Sequence, residues 1–180
     1  YLRISVPGQI IDVRESAAGA VSGSIISWVS ELAPFNETQT GRIFSVRQIL
    51  TPDTAAAISR LFWSGLMPDL PTDDSIKNWS HGFDGATFII EQSAGCEYAL
   101  KSYWTPRAQD SLKEALIVEH FIDSAFAIAN ADHLLGLFEK TIPYECYTTG
   151  GIGISCKILT DKQKRKYAAE RRRYLSRRKK

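Results

Sequence analysis

The sequence predicts one α+β domain: a mostly antiparallel sheet with hairpins, packed by one long and one shorter helix, plus a basic C-terminal helix. Several short runs alternate apolar and polar residues and are bounded by Gly, Pro and Asn, which is typical of half-buried strands. Helical patterns fall between hairpins instead of alternating with single strands, which favours an antiparallel sheet. A length of 180 residues with 44% hydrophobic residues suits a single domain with its own core.

The N-terminal third predicts strands followed by a first helix. The alternating runs lie at 2–6, 9–13, 25–29 and 42–50. Thr51, Pro52 and Asp53 then mark a helix start, because Thr caps, Pro suits the first helical position, and Asp favours the positive end of the helix dipole. Apolar residues three and four positions apart from Ala57 to Phe62 give this helix one apolar face.

A loop and then a β-hairpin are predicted in the middle of the chain. The loop covers 68–74, where two Pro and three Asp in seven residues oppose regular structure. The strands of the hairpin are predicted at 87–92 and 98–104. Pairing Gln92 with Tyr98 makes Glu91 and Lys101 diagonal neighbours of opposite charge on one face of the hairpin.

Three further helices are predicted beyond this hairpin. A Thr-Pro pair at 105–106 repeats the cap-and-proline signal and begins the longest helix, which ends near Asn130. A shorter helix follows at 132–138. Thr160 and Gln163 then fit a capping box, in which each side chain bonds to the other residue's backbone N–H, and this predicts the start of the C-terminal helix.

The three cysteines predict one intrachain disulfide. Cys146 and Cys156 flank a Thr-Thr-Gly-Gly turn at 148–151, so they face each other in the simplest hairpin register. Buried thiols at both positions are the alternative, and an odd count leaves Cys96 unpaired within the chain. No Cys or His spacing typical of structural zinc occurs, so neither a metal nor a cofactor is expected.

The bulk properties indicate a chain without a membrane span. The most apolar stretch, 115–131, contains Glu119, His120 and Asp123, whereas a spanning helix needs roughly 20 nearly uncharged residues. The sequence begins with Tyr1, which fits removal of an export signal and equally a cloning choice. A periplasmic or secreted location is therefore preferred, and a cytoplasmic location is the alternative.

Charge divides the chain into a globular domain, 1–160, and a basic C-terminal segment, 161–180. The segment holds 11 of the 22 Lys and Arg residues and 2 of the 20 Asp and Glu residues. It therefore carries +9 and the globular domain −7, within a net charge of +2. Three roles are open: a solvated end, an arm for an anionic partner such as nucleic acid, a membrane or an acidic protein, or a helix packed on the acidic domain.

The candidate anion-binding residues are the cations and tyrosines of the basic segment. They are Lys164, Arg165, Lys166, Tyr167, Arg171, Arg172, Arg173, Tyr174, Arg177 and Arg178. The tyrosines are candidates for stacking on bases. A helix places Tyr167, Arg171, Tyr174 and Arg178 on one face. The near absence of an apolar stripe predicts that the segment does not dock deeply on its own domain.

Aromatic residues around the central hairpin are candidate partner-binding residues. They are Trp79, Phe83, Tyr103 and Trp104. Amphipathic rings at turns often anchor protein interfaces, although core packing is the alternative. The leading hypothesis is a non-enzymatic interaction module that binds a macromolecular partner, a protein or an anionic surface, through this aromatic surface and the cationic segment. The sequence does not determine the oligomeric state.

The alternative hypotheses are a small hydrolase and a nucleic-acid-associated protein that uses the basic segment. A hydrolase would use His81, Asp84 and Glu91, combining an acid/base pair with a third carboxylate. Turn and packing roles for these residues are the simpler interpretation. The sequence contains no GxSxG, Walker A, GxGxxG or HExxH motif, so the enzyme classes that these motifs mark are not indicated.

Overall fold

One antiparallel sheet contains all the strands of the described residues, which in this computed structural model are 1–33, 39–109, 112–150 and 153–178. The strands are β1 (Leu2–Val6), β2 (Gln9–Glu15), β3 (Val21–Leu32), β4 (Gln39–Leu50), β5 (Thr87–Ala94), β6 (Glu97–Trp104), β7 (Cys146–Thr148) and β8 (Ser155–Cys156). The α-helices are α1 (Pro52–Trp63), α2 (Lys113–Ile128), α3 (Ala131–Glu139) and α4 (Asp161–Arg178). Short 3-10 helices cover Asp73–Ser75 and Pro106–Ala108. The predicted α+β class is confirmed.

Strand β3 is the longest inner strand of the sheet and organises its topology. The order runs β6, β5, β1, β2, β3. Residues 21–27 of β3 pair with β2, and residues 30–32 pair with β7 on the same side. Strand β4 pairs with the other side of β3, and β8 extends β7. One face of this sheet, the inner face, carries the helices, and the outer face carries no helix among the described residues.

The inner face forms the main core with α1 and α2. Ile4, Ile11, Ile25 and Ile90 are fully buried there with Tyr103. Each strand contributes every second residue to this face because strand side chains alternate. Burying an aliphatic side chain of this size stabilises the fold by about 1.5–3 kcal/mol before entropy is counted. The apolar alternation of the sequence therefore decides which face the helices cover.

The hairpin of β5 and β6 has a different register from the predicted one. Gln92 pairs with Ala99, because Gly95 adopts a positive φ of 60° and a tight turn joins Ala94 to Glu97. A shift of one residue moves alternate side chains to the other face. The expected pair of Glu91 with Lys101 is therefore wrong: Glu91 lies on the outer face and Lys101 on the inner face.

The buried Lys101 joins the hairpin to the segment that follows α1. Its Nζ donates to the carbonyl oxygens of Met67 and Pro68 at 2.9 and 2.6 Å. Burial lowers the pKa of Lys101, and the negative charge of Asp69 opposes that effect. Two carbonyl acceptors thus replace the carboxylate partner that the sequence had predicted for this ammonium group.

Helix α2 begins later than predicted, whereas the local helix signals elsewhere are confirmed. Thr105 has a φ of 39° and does not cap, so the 105–106 pair starts only a 3-10 turn. The side chain of Gln109 then bonds to both the N–H and the carbonyl of Ser80 at 2.8 and 2.9 Å, which fixes a break before α2. At α1, by contrast, the N–H of Thr54 donates to the Oγ1 of Thr51, as expected for a cap.

The predicted disulfide is present. Cys146 pairs with Cys156 in the register of β7 and β8, and their Cα atoms lie 4.1 Å apart. Cys96 is free and exposed in the turn of the other hairpin. The cross-link holds the short β7–β8 hairpin, which leads into α4.

Candidate functional site

Helix α4 lies against the globular domain by one of its faces. Its start is the predicted capping box: the N–H of Thr160 donates to Oε1 of Gln163 at 3.0 Å, and the N–H of Gln163 donates to Oγ1 of Thr160 at 3.4 Å. Tyr167, Arg171 and Tyr174 lie one turn apart on the docked face and are half-buried. Of the three roles considered for the basic segment, packing on the acidic domain therefore applies to this face of the helix.

The docked face binds a buried carboxylate on β3. Glu31 is 1% exposed and lies on the inner face. Its Oε1 accepts from Arg42 at 3.2 Å and from Arg171 at 3.4 Å, and its Oε2 accepts from the Thr40 hydroxyl at 2.6 Å. We call Glu31, Thr40, Arg42 and Arg171 the Glu31 cluster. It joins α4 to both β3 and β4.

Aromatic rings complete the docking of α4. The guanidinium of Arg42 lies 5.0 Å from the ring centre of Tyr144 and 5.4 Å from that of Tyr174. The Tyr174 hydroxyl donates to the carbonyl of Gly41 at 3.1 Å. The ring of Tyr174 is thereby turned toward the domain, and Tyr167 is half-buried. No residue of α4 is fully buried among those described, as the lack of an apolar stripe predicts, and polar and cation–π contacts hold the docked face.

The other side of α4 is cationic and open to solvent. At roughly 100° per residue, six exposed cations fall on the side opposite Arg171. This cationic face consists of Lys162, Arg165, Lys166, Arg172, Arg173 and Arg177. Among the described residues, no carboxylate lies within ion-pair distance of any of them. Lys164 is also exposed, and the side chain of Arg178 lies outside the described residues.

Two of the four candidate partner-binding aromatics belong to the core. Trp79 and Tyr103 are buried, with ring centres 5.8 Å apart. Trp79 Nε1 donates to the carbonyl of Trp104 at 3.0 Å. The alternation of β6 turns Tyr103 inward, and Trp79 packs against it. Burial removes both rings from any surface that a partner could contact.

The other two aromatics lie at the turn that crosses the end of β6. Phe83 is fully exposed. Trp104 is half-buried beneath Gly82 and Gly85, where an added Cβ would come within 2.8 Å of its ring. The glycines are therefore required for the turn to cross the indole. Only Phe83 of the four candidates stands clear of the domain.

The structure pairs His81 with a carboxylate that the hydrolase hypothesis did not include. His81 Nε2 lies 3.3 Å from Oδ2 of Asp73 and 3.7 Å from Oδ1 of Asp74. Asp84 is exposed. Glu91 binds Arg3 at 3.5 Å and lies four residues along β5 from the end near His81, roughly 13 Å at 3.3 Å per residue. The hydrolase hypothesis stays a prediction, and its three residues do not meet.

Asp73 accepts hydrogen bonds from the free edge of β6. It accepts from the Trp104 N–H at 2.6 Å and from the hydroxyl of Ser102 at 3.0 Å. Burial alone would raise the pKa of Asp73, but hydrogen bonds from Trp104, Ser102, His81 and the N–H of Asp74 outweigh it and lower the pKa. Asp73, Asp74 and His81 place three ligand-type atoms within 4.8 Å of one another, but protein donors already occupy the Asp73 carboxylate.

Sequence reasoning missed the residues that hold α4. Glu31, Arg42 and Tyr144 carried no local motif, although an acid among the apolar positions that end β3 is a signal of a paired buried carboxylate. Among the described helices, none has the length and apolar composition needed to cross a bilayer. Comparisons with protein-family models, with curated proteins and with solved structures find no match to this chain.

Proposed function

We propose that this chain is a non-enzymatic interaction module that binds nucleic acid through the cationic face of α4. One observation carries the proposal: Arg171 of α4 forms an ion pair with Glu31, whereas six other cations of the helix face solvent. Eighteen helical residues span about 27 Å, so these charges form an extended row. Rows of Lys and Arg bind phosphate backbones by releasing condensed counterions.

The composition of the cationic face favours nucleic acid over other anionic partners. A membrane-surface helix needs an apolar face turned to the lipid, whereas the exposed face of α4 is a row of cations and Tyr174 is turned to the domain. Protein interfaces are depleted in Lys and centre on buried aromatic anchors, and the cationic face has none. Because the cationic face itself carries no aromatic ring, duplex contact through phosphates, without sequence preference, is the expected mode.

The first test measures binding of the full chain to a 20-base-pair DNA duplex by fluorescence anisotropy. Arg172→Glu combined with Arg173→Glu is expected to weaken binding at least tenfold, because both changes reverse charge on the cationic face. Binding by the unmodified chain should also fall steeply with salt; six phosphate contacts give a slope of about −5 in log K against log salt.

The matched control is Lys77→Glu combined with Lys113→Glu, which changes the net charge equally at exposed sites away from α4. This variant should keep nearly full affinity. Equal losses in the two variants would mean that only the net charge matters, and unchanged binding in the α4 variant would refute the proposed interface. Tighter binding to anionic vesicles or to poly-glutamate than to DNA would assign the face to one of those partners instead.

We further propose that the chain works outside the cytoplasm, in the periplasm or after secretion. The Cys146–Cys156 disulfide supports this location, because oxidising compartments maintain such cross-links. Fractionation of the source cells, with alkylation of free thiols before lysis, tests the proposal. Recovery of the protein in the cytoplasmic fraction with both cysteines alkylated would contradict it. The binding proposal depends on α4 alone and is independent of location.

A further inference from the structure

The outer face of the sheet contains a polar recess that is separate from α4. Its volume is about 250 Å³, and it lies over β2, β3 and β4. Arg14 and Arg47 stand at its sides, Ser22 and Ser24 form the floor, and Asp12, Gly23 and Ile49 complete the lining. No helix covers this face among the described residues, so the recess is open to solvent.

Strand register places these groups together. Asp12 pairs with Ser24, and Arg14 pairs with Ser22, so β2 supplies one side of the recess. Ser24 pairs with Ile49 across β4, and Arg47 follows on the same face two residues away. Arg47 lies opposite Ile26, two residues beyond Ser24 on the same face, so the two arginines come from the strands on either side of the one that carries the serines.

Neither arginine of the recess has a carboxylate partner among the described residues. The only acid in the lining, Asp12, accepts from Arg3 Nε at 2.8 Å and from the Tyr1 hydroxyl at 3.2 Å. Arg14 lies 5.5 Å from the ring centre of Tyr1 and, like Arg47, has no ion pair among the described residues. The recess thus has two positive charges that no protein carboxylate neutralises.

The floor of the recess also offers unused hydrogen-bond donors. Ser24 is buried at 5% exposure, and no described residue bonds to its hydroxyl or to that of Ser22. Each hydroxyl donates one hydrogen bond, and each guanidinium donates in a fixed fork. Donors from both sides and from the floor match an acceptor that has oxygens in three directions.

We propose that this recess is a binding site for a phosphate group. Two arginines on separate strands, with two serine hydroxyls on the strand between them, suit a tetrahedral dianion with three or four acceptor oxygens. A planar carboxylate would satisfy one arginine fork and leave the other unpaired. The phosphate is either free inorganic phosphate or the phosphomonoester of a small molecule that rests on the neighbouring Ile49 and Tyr1.

The test is a residue-resolved NMR titration of the full chain with inorganic phosphate at constant ionic strength. Saturable shifts are expected for amides of 12–14, 22–24 and 47–49. Arg14→Gln and Arg47→Gln should each weaken binding at least fivefold, and both positions are exposed, so the fold should tolerate the changes. Glycerol phosphate replaces inorganic phosphate in a second titration, and tighter binding there identifies the phosphomonoester as the ligand.

The α4 variant Arg172→Gln combined with Arg173→Gln separates this site from the proposed nucleic-acid interface. It should leave the shifts at 12–14 and 47–49 unchanged while weakening duplex binding. Shifts confined to α4, affinity in the Arg14 and Arg47 variants equal to that of the unmodified chain, or acetate binding as tightly as phosphate would each overturn the recess proposal. None of these outcomes bears on the duplex measurement, so the two proposals fail independently.

Discussion

Replacing Asp73 with Asn is expected to lower the free energy of unfolding by about 3 kcal/mol, since it removes a buried charge from several charge-assisted hydrogen bonds. The donors include the N–H of Trp104 at 2.6 Å and the hydroxyl of Ser102 at 3.0 Å. An amide in place of the carboxylate turns an NH₂ group toward one of these donors. The free edge of β6 then loses its partner and the turn that carries His81 loosens.

The effect of Asp73 should depend on pH in a defined direction. Its pKa is lowered in the fold, so its contribution to stability is complete above the ordinary Asp value of 3.8 and is lost as pH falls through the lower, folded value. Urea unfolding at pH 7 and across the acid range measures both effects. The two proteins should converge in stability at low pH, because the native side chain is then also uncharged.

Asp74→Asn is the matched control, because this neighbouring carboxyl is exposed and lies on the same 3-10 turn. The control should stay within about 0.5 kcal/mol of the unmodified protein. If the two variants unfold alike at pH 7, the hydrogen bonds to Asp73 are not the source of stability that the structure indicates.

Replacing Glu31 with Gln is expected to cost about 3 kcal/mol and to free α4. The change leaves the guanidinium groups of Arg42 and Arg171 half-buried without their shared carboxylate, and an unpaired buried charge is strongly destabilising. Hydrogen exchange should accelerate throughout residues 161–178, while β1 and β2 stay protected. Denaturant unfolding gives the free energy, and mass spectrometry of exchanged peptides locates the change.

Glu139→Gln, an equal charge change at an exposed position, should alter neither measurement. Arg171→Gln added to Glu31→Gln should cost less than the sum of the two single changes, because the double variant no longer contains an unpaired Arg171. Unchanged exchange in 161–178 for Glu31→Gln would show that the Glu31 cluster does not hold α4.

Local signals predicted much of this fold. The capping box at Thr160 and Gln163 and the cap at Thr51 involve residues three positions apart, so sequence patterns contain the whole interaction. The Cys146–Cys156 pair could also be predicted, because a short turn fixes which residues oppose each other. Interactions confined to a few neighbouring residues leave a readable pattern in the sequence.

Long-range and register-dependent features could not be predicted from local sequence patterns. Glu31 and Arg171 are 140 residues apart, and no local pattern links a lone acid to one of many arginines. The conformation of Gly95 decided the register of β5 and β6, and with it the faces of Glu91 and Lys101. The recess between Arg14 and Arg47 likewise exists only after β2, β3 and β4 have paired.

The docking of α4 has a consequence for the kinetics of binding. A basic segment that folds only on its partner must lose about 1–2 kcal/mol of backbone entropy for each residue that it orders. In this chain α4 is already helical, and its contact with Glu31 uses the face opposite the exposed cations. The proposed binding to a polyanion would therefore need no folding step, and electrostatic attraction would set its rate.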